Sequence, residues 1–407
     1  LYLFSDLEDK KVRCPLDTSP PPPSAASKTA LIVACLLPLL LAGRDSTGAA
    51  ISPGGGLEIV TGPYLQVPEN RAGTMAILWE TSFPSRGTLV IGEKDQPPQT
   101  IASTDSGTRH KVVLEGLDPS ATYRYHVESG NRFSRTYAFR PFPAEATSYA
   151  FAVYGDSRYN DAAHQAVISQ MTAYQPDFVL HTGDLVTQGN VMDQWDIFFV
   201  VVRSLAARVP FFPTIGNHDY WKGGTKIFKT LFMPPKNSPS PVLDYFVDTG
   251  NARFVVLDNR RVGKASQKTW LEETLKDARD VKKLPHIFVS IHQGIQSSGP
   301  HGPDDDLDKQ GYLELFKAYG VAIVFAGHDH MYERGVRNGI RYIVTAGGGA
   351  PLYDKVKPVK DTQLRATERH FVAFTVEQDK VAFKVVRPDG TLIETCTLIK
   401  KGYDCTP

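Results

Sequence analysis

Five short polar blocks carry residues able to do chemistry: Gly155-Asp156, Gly183-Asp184, Gly216-Asn217-His218-Asp219, Ile291-His292 and Gly327-His328-Asp329-His330. Each follows an apolar run of strand length, so carboxylate, amide and imidazole donors recur where buried strands end. In open α/β sheets the rim at the carboxyl ends of the strands is where ligands bind. Oxygen and nitrogen donors without thiolate suit a pair of divalent or trivalent ions of the Fe, Zn or Mn type. Such ions bring bound water toward a neutral pKa, by analogy with single zinc sites, and neutralise charge developing on phosphate oxygens. The pattern points to a two-metal hydrolase. Taken singly each block is weak: a Gly-Asp occurs in countless turns, Asp156 alone could cap a helix, and an isolated His-x-His is commonly a solvated loop. The weight rests on six ligand-type residues in series.

The elements that must position these residues are legible as periodicities. Continuous apolar runs at 149–154, 178–181, 211–215, 254–257, 287–291, 322–325 and 342–345 fit strands covered on both faces. Amphipathic segments at 161–173 and 267–278 lie between them, the second with Ser266 as its N-cap. Strand and helix in alternation predict an α/β domain over residues 147–400, and the segment 371–397, with an Asp389-Gly390 turn, returns to strand pattern and completes the sheets. The Gly347-Gly348-Gly349 triplet predicts a loop of close backbone approach. Ahead of this domain, residues 56–143 alternate β-rich runs at 74–80, 87–91, 111–114, 122–128 and 136–139 with turn signals, which predicts a small all-β sandwich. The expected fold class is therefore α/β with an N-terminal all-β sandwich domain.

Composition narrows the partners. Lys+Arg 45 against Asp+Glu 44 leaves a net charge of +1, so no global field or basic tract selects nucleic acid or a membrane surface. Residues 1–55 read as a disordered leader: Pro20 to Pro23 run together, and Lys28 precedes an apolar stretch at 30–42 followed by small residues. That stretch resembles a secretory signal, and it is short and interrupted by Pro38, so no stable membrane span is expected in the mature chain. Cys35 has too few apolar residues before it for lipid attachment. Cys396 and Cys405 lie close together near the end, while Cys14 and Cys35 fall in the leader, a pattern favouring a disulfide and an exported protein.

The five blocks, in this order over roughly 149–350, resemble those of the calcineurin-like metallophosphoesterases. Upstream, Thr61-Gly-Pro-Tyr-Leu-Gln66 with the following sandwich is similar to the N-terminal domain of purple acid phosphatases, and 114–125 to the fibronectin type III pattern. The resemblance implies a four-layer α+β sandwich and hydrolysis of phosphate monoesters, or diesters, of small phosphorylated substrates by a metal-activated hydroxide. It implies that Asp184 bridges two ions, one also held by Asp156 and His330, the other by Asn217, His292 and His328. His218 would then hydrogen-bond substrate or protonate the departing alkoxide, with Asp219 orienting its ring.

Two positions depart from the family pattern. Arg158 stands where the wider family has His, and Thr187 where purple acid phosphatases have Tyr. Arg158 could bind a phosphate oxygen, form a structural ion pair, or mark a weakened first metal position; Tyr159 and Asn160 are further candidates to fill the gap. His301, in the 297–308 loop, is a candidate for substrate contact or a plain exposed residue. His164 and His286 read as structural or surface residues, and Asp304–Asp306 as a solvated turn. The competing function is an extracellular binding or adhesion protein on a degenerate enzyme scaffold, which only Arg158 and Thr187 support. An intracellular protein phosphatase or nuclease fits the leader and the cysteines poorly.

Overall fold

The computed structural model describes residues 56–93, 96–355, 357 and 359–406. Cys14, Cys35 and the apolar stretch at 30–42 lie outside the described residues. Alternation of side chains builds the first part. Gly87–Glu93 and Tyr123–Ser129 bury every second residue and pair antiparallel, as a period of two requires. With Gln99–Ala102, Arg132–Phe133 and Tyr137–Phe139 they make a five-stranded sheet. Ile59–Gln66, Met75–Thr81 and Arg109–Leu114 make a three-stranded one. Leu89, Tyr125 and Val127 from one sheet meet Leu65, Ile77 and Trp79 from the other in a shared core.

Strands buried along their length form the centre of the second part. Ser148–Tyr154, Phe178–His181 and Phe211–Pro213 are parallel neighbours within a seven-stranded sheet completed by Phe371–Glu377, Lys380–Val386, Leu392–Ile399 and Gly402–Thr406. A second seven-stranded sheet has Ala252–Leu257, His286–Ile291 and Ile323–Ala326 parallel at its centre. The two sheets stack face to face through phenylalanine rings. Phe151 lies 5.0 Å from Phe254 and 5.7 Å from Phe288, with Phe374 stacked on it at 4.6 Å. Such ring pairs add about 0.5–1.5 kcal/mol each beyond the area they bury. Helices α1 (Asp161–Tyr174) and α2 (Met192–Ala206) cover the outer face of the first sheet with Val167, Met171, Phe198 and Val202. Helices Ala265–Lys276 and Tyr312–Ala318 cover the second with Leu271, Leu275 and Phe316. The result is helix, sheet, sheet, helix: four layers.

The sandwich is fastened to this body by long-range hydrogen bonds. Tyr64 Oη donates to the Leu231 carbonyl, Gln66 Nε2 to that of Phe211, and Tyr125 Oη to that of Ala207. At the other end of the chain, Cys396 and Cys405 face each other across Leu392–Ile399 and Gly402–Thr406 and are joined by a disulfide. Among the described residues no helix is long and apolar enough to cross a membrane.

Two local expectations need correction. Ser266 is not the N-cap: the helix begins at Ala265 after an extended Lys264 with no side-chain cap bond, and the Ser266 hydroxyl accepts from Arg261 Nη2 instead. Asp304 caps rather than idles. Its carboxylate accepts from the backbone of Asp306 at the start of helix Asp305–Lys309 and from Asn259 Nδ2.

Candidate metal centre

The five blocks leave the ends of parallel strands from both sheets, and tight backbone contacts bring them together. Asp156 N–H donates to the Gly183 carbonyl and His328 N–H to Asp156 Oδ2. Asp156, Asp184 and His328 all sit in the left-handed region, with φ of 55°, 56° and 69°. Non-glycine residues there cost roughly 1–3 kcal/mol and persist where surrounding structure over-determines them, typically at functional sites. Glycine provides the clearance: a Cβ on Gly327 would stand 2.4 Å from Asp156 Oδ2. The Gly347-Gly348-Gly349 loop makes the expected close approach, since a Cβ on Gly349 would stand 2.2 Å from the Ser157 carbonyl oxygen.

Three carboxylate and imidazole groups, Asp156, Asp184 and His292, each offer a donor atom within 4.8 Å of the others, and all are buried. His292 Nδ1 donates to the Thr182 carbonyl at 2.9 Å, an obligate acceptor, so Nε2 carries the lone pair of the neutral ring. That Nε2 faces Asn217 Oδ1 at 3.0 Å, His328 Nδ1 at 3.2 Å and Asp184 Oδ1 at 3.4 Å. Lone pairs converging in a buried space call for a cation. Without an ion the proton supplies it: burial alone would lower the His292 pKa, but the Asp184 and Asp156 carboxylates outweigh it and raise it. The donor set fits a borderline metal ion, with Thr182 fixing the tautomer as outer-shell carbonyls do.

Across Asp184 the arrangement changes. Arg158 Nε donates to Asp184 Oδ2 at 3.0 Å and Nη2 to His330 Nε2 at 3.2 Å, with His330 Nδ1 anchored on the Pro351 carbonyl. The guanidinium is only 8% exposed. Burial works against its charge, and Asp184 and Asp156 more than compensate, raising its pKa. Burial would likewise raise Asp184, but His292, Arg158 and His218 hold its carboxyl well below the usual range. Asp156 Oδ1 is buried with no hydrogen-bond partner, 3.4 Å from His330 Nε2.

His218 reaches the same carboxylate. Its backbone N–H donates to Asp184 Oδ1 and its Nε2 lies 3.9 Å from Oδ2. The expectation that Asp219 orients the His218 ring is corrected by the contacts: Nδ1 bonds the Thr187 carbonyl at 2.8 Å. Asp219 instead accepts from the backbone N–H groups of Asp184, Leu185, Val186 and Gly216, pinning two of the blocks together. Burial and the Asp184 charge push its carboxyl up to about 8. Asp329 plays a similar part for the 297–302 loop, accepting from Ser297 Oγ, His301 N–H and Gly302 N–H. That loop brings the exposed His301 ring to 4.4 Å from His328. Tyr353, just after the glycine loop, stacks on His330 at 4.1 Å. Sequence reasoning passed over Tyr353 and Thr182, and it noted Thr187 for its side chain alone, not for the carbonyl that holds His218; only Tyr353 had a signal, its place shortly after three glycines. His164 is buried in α1 against Phe198, and His286 opens a strand, as expected of structural residues.

A cavity of about 200 Å³ opens beside the centre, lined by Asn217, Tyr220, Asp258, Arg260, His292 and His328. A larger one, about 690 Å³, lies between the sandwich and α1 against Arg140, Asp177 and Arg208 and contains none of these donors. The group Glu394, Cys396 and Cys405 is no metal site, since both sulfurs are consumed in the disulfide.

Residues 149–332 match the calcineurin-like phosphoesterase family, and residues 60–141 match the purple acid phosphatase N-terminal domain. Among curated proteins the chain is 25% identical over 338 residues to Probable inactive purple acid phosphatase 1 of Arabidopsis thaliana, covering 67% of this chain and 54% of that protein. It is 29% identical over 278 residues to a phosphoenolpyruvate phosphatase of Allium cepa, covering 62% and 56%. The chain thus spans about half the length of these curated relatives. A purple acid phosphatase from yellow lupin seeds superposes with a TM-score of 0.70 at 19% identity, over 82% of this chain and 73% of that one, a likeness of fold.

Proposed function

Because residues 149–332 belong to the calcineurin-like phosphoesterase family and residues 60–141 to the purple acid phosphatase N-terminal domain, we propose that the protein is a metal-dependent phosphoric ester hydrolase acting on phosphate monoesters, or diesters, of small molecules. The observation that carries this reading is the convergence of Asp184 Oδ1, Asn217 Oδ1, His292 Nε2 and His328 Nδ1 on one buried point. Those four residues would hold one ion; Asp156, Asp184 and His330 are the donors on the other side. Bound metal of the Fe, Zn or Mn type supplies acidified water and charge neutralisation at phosphate. The remaining work falls to side chains. His218, with its Nδ1–H fixed on the Thr187 carbonyl, keeps Nε2 for the substrate, and in its doubly protonated form would give the Nε2 proton to the departing alkoxide. Asp219 holds the Asp184 and Asn217 loops in register. Arg158 and His301 are the proposed contacts to a phosphate oxygen, and the cavity lined by Tyr220 and Arg260 would take the leaving group.

The sandwich, residues 56–143 and similar to fibronectin type III, and the catalytic region, residues 147–400, form the proposed domains. Export to the periplasm or extracellular space is proposed from the signal-like stretch and the terminal disulfide. One reading competes: a binding or adhesion protein on a degenerate scaffold, favoured by the Arg158–Asp184 ion pair. Assay of chromogenic monoesters and diesters with added Mn²⁺, Zn²⁺ and Fe³⁺ separates the two. Hydrolysis that Asp184→Ala abolishes is expected; no turnover with any metal would leave the binding reading standing.

A further inference from the structure

The two sides of Asp184 differ in how their donor atoms are already engaged. On the His292 side, Asn217, His292 and His328 all present donors at the same point as Asp184 Oδ1. On the opposite side, Asp184 Oδ2 and His330 Nε2 each already receive a hydrogen bond from Arg158, at 3.0 and 3.2 Å. A guanidinium is a donor only, so these contacts occupy the His330 Nε2 lone pair and one side of Asp184 Oδ2 without adding a ligand. Arg158 is 8% exposed, and the Tyr159 ring lies 4.9 Å from its Cζ. Both departures from the family pattern, Arg158 for His and Thr187 for Tyr, remove donors from this same side and none from the other. Only Asp156 Oδ1 remains there without a hydrogen-bond partner, and one carboxylate oxygen does not hold an ion.

We propose that the centre takes one metal ion, through Asp184, Asn217, His292 and His328, and that the Arg158 guanidinium is its built-in second cation. Resting on the phosphoesterase reading above, this makes the site a two-cation centre with one cation supplied by the chain. The guanidinium balances Asp156 and Asp184, holds Asp184 in place, and offers a fixed positive charge to phosphate as an arginine does in phosphoryl transfer.

The test counts metal rather than turnover. Full chain stripped with chelator and reloaded with excess Mn²⁺ is desalted, analysed by plasma mass spectrometry and examined by electron paramagnetic resonance. About one Mn²⁺ per chain with the six-line signal of an isolated ion is expected. Arg158→His, which supplies a donor and removes the charge, is expected to take about two with a spin-coupled signal, while Arg158→Lys stays near one. Two coupled ions in the wild-type protein would overturn the proposal and leave the hydrolase reading intact. A folded Arg158→His protein that stays at one ion would also overturn it, and thermal melting establishes that the variant is folded. If that variant does not fold, the wild-type count decides alone. No bound ion at all would sink both readings.

Discussion

Oδ1 of Asp184 accepts one backbone N–H, from His218, and otherwise faces His292 Nε2, which itself meets Asn217 Oδ1, while Oδ2 receives the charged guanidinium of Arg158. One carboxylate therefore faces an electrostatic problem left open and the same problem already solved. The open side gains its stabilisation only when a cation arrives, which is what gives a site metal affinity. The closed side is stable without one, through a charge-assisted contact of the kind that breaks expensively when buried. A buried ion pair and a candidate metal site thus share one carboxylate, distinguished by the groups that face each of its oxygens.

The contrast can be broken most directly by removing one imidazole from each side. His292→Ala is expected to weaken Mn²⁺ or Zn²⁺ affinity by more than ~100-fold in calorimetric titration, since it deletes a ligand, whereas outer-shell losses commonly cost about 10–100-fold. His330→Ala should leave that affinity within about 10-fold; equal losses in the two variants would erase the distinction. Asp219→Ala comes next. It strips the acceptor from four buried backbone N–H groups, and with each unsatisfied group costing ~1–3 kcal/mol the protein should lose at least about 4 kcal/mol in urea unfolding. An intact stability with a lowered kcat would return Asp219 to the ring-orienting role.

His218→Ala should lower kcat about 100-fold while metal content stays unchanged, because a proton donor and not a ligand is removed. Loss of metal in that variant would contradict the assignment.

A smaller effect lies outside the centre. Burial lowers His370 to about 4 and His164 to about 3, so both are neutral in the folded protein. The unfolded chain, with ordinary imidazole values near ~6.5, binds more protons between roughly pH 4 and 6.5, so stability is complete above that window and falls as pH drops through it. Urea midpoints at pH 7, 5.5 and 4.5 should decline by an amount worth roughly 2–3 kcal/mol per histidine over that span. His370→Gln should flatten that decline, and an unaltered slope would show that other groups set the acid limit.

Much of this molecule is legible in its residues because its periodicities are strong. The apolar runs at 178–181 and 342–345 are strands buried along their length, and the helix expected at 161–173 is Asp161–Tyr174. The donor series converged because side-chain type and strand end are both written in the sequence. What stayed hidden involves groups with no residue signature. The carbonyls of Thr182 and Thr187 that set two histidine tautomers could belong to any residue, and only the folded backbone aims them. Asp219 misled for a related reason: adjacency to His218 suggested a side-chain pair, yet the tight turn directs its carboxylate back into N–H groups. Ser266 misled because a cap depends on where the chain first turns, and Lys264 is extended there. Arg158 was visible as a departure, but its partners lie 26 and 172 residues away.

The left-handed backbone at Asp156, Asp184 and His328 sets chemistry against durability at the same three positions. Each is wound as glycine or asparagine would prefer, so selecting this protein solely for resistance to heat would favour exchanges that delete its donors first. Variants recovered from such a screen would fold more willingly as their capacity to bind a cation disappeared.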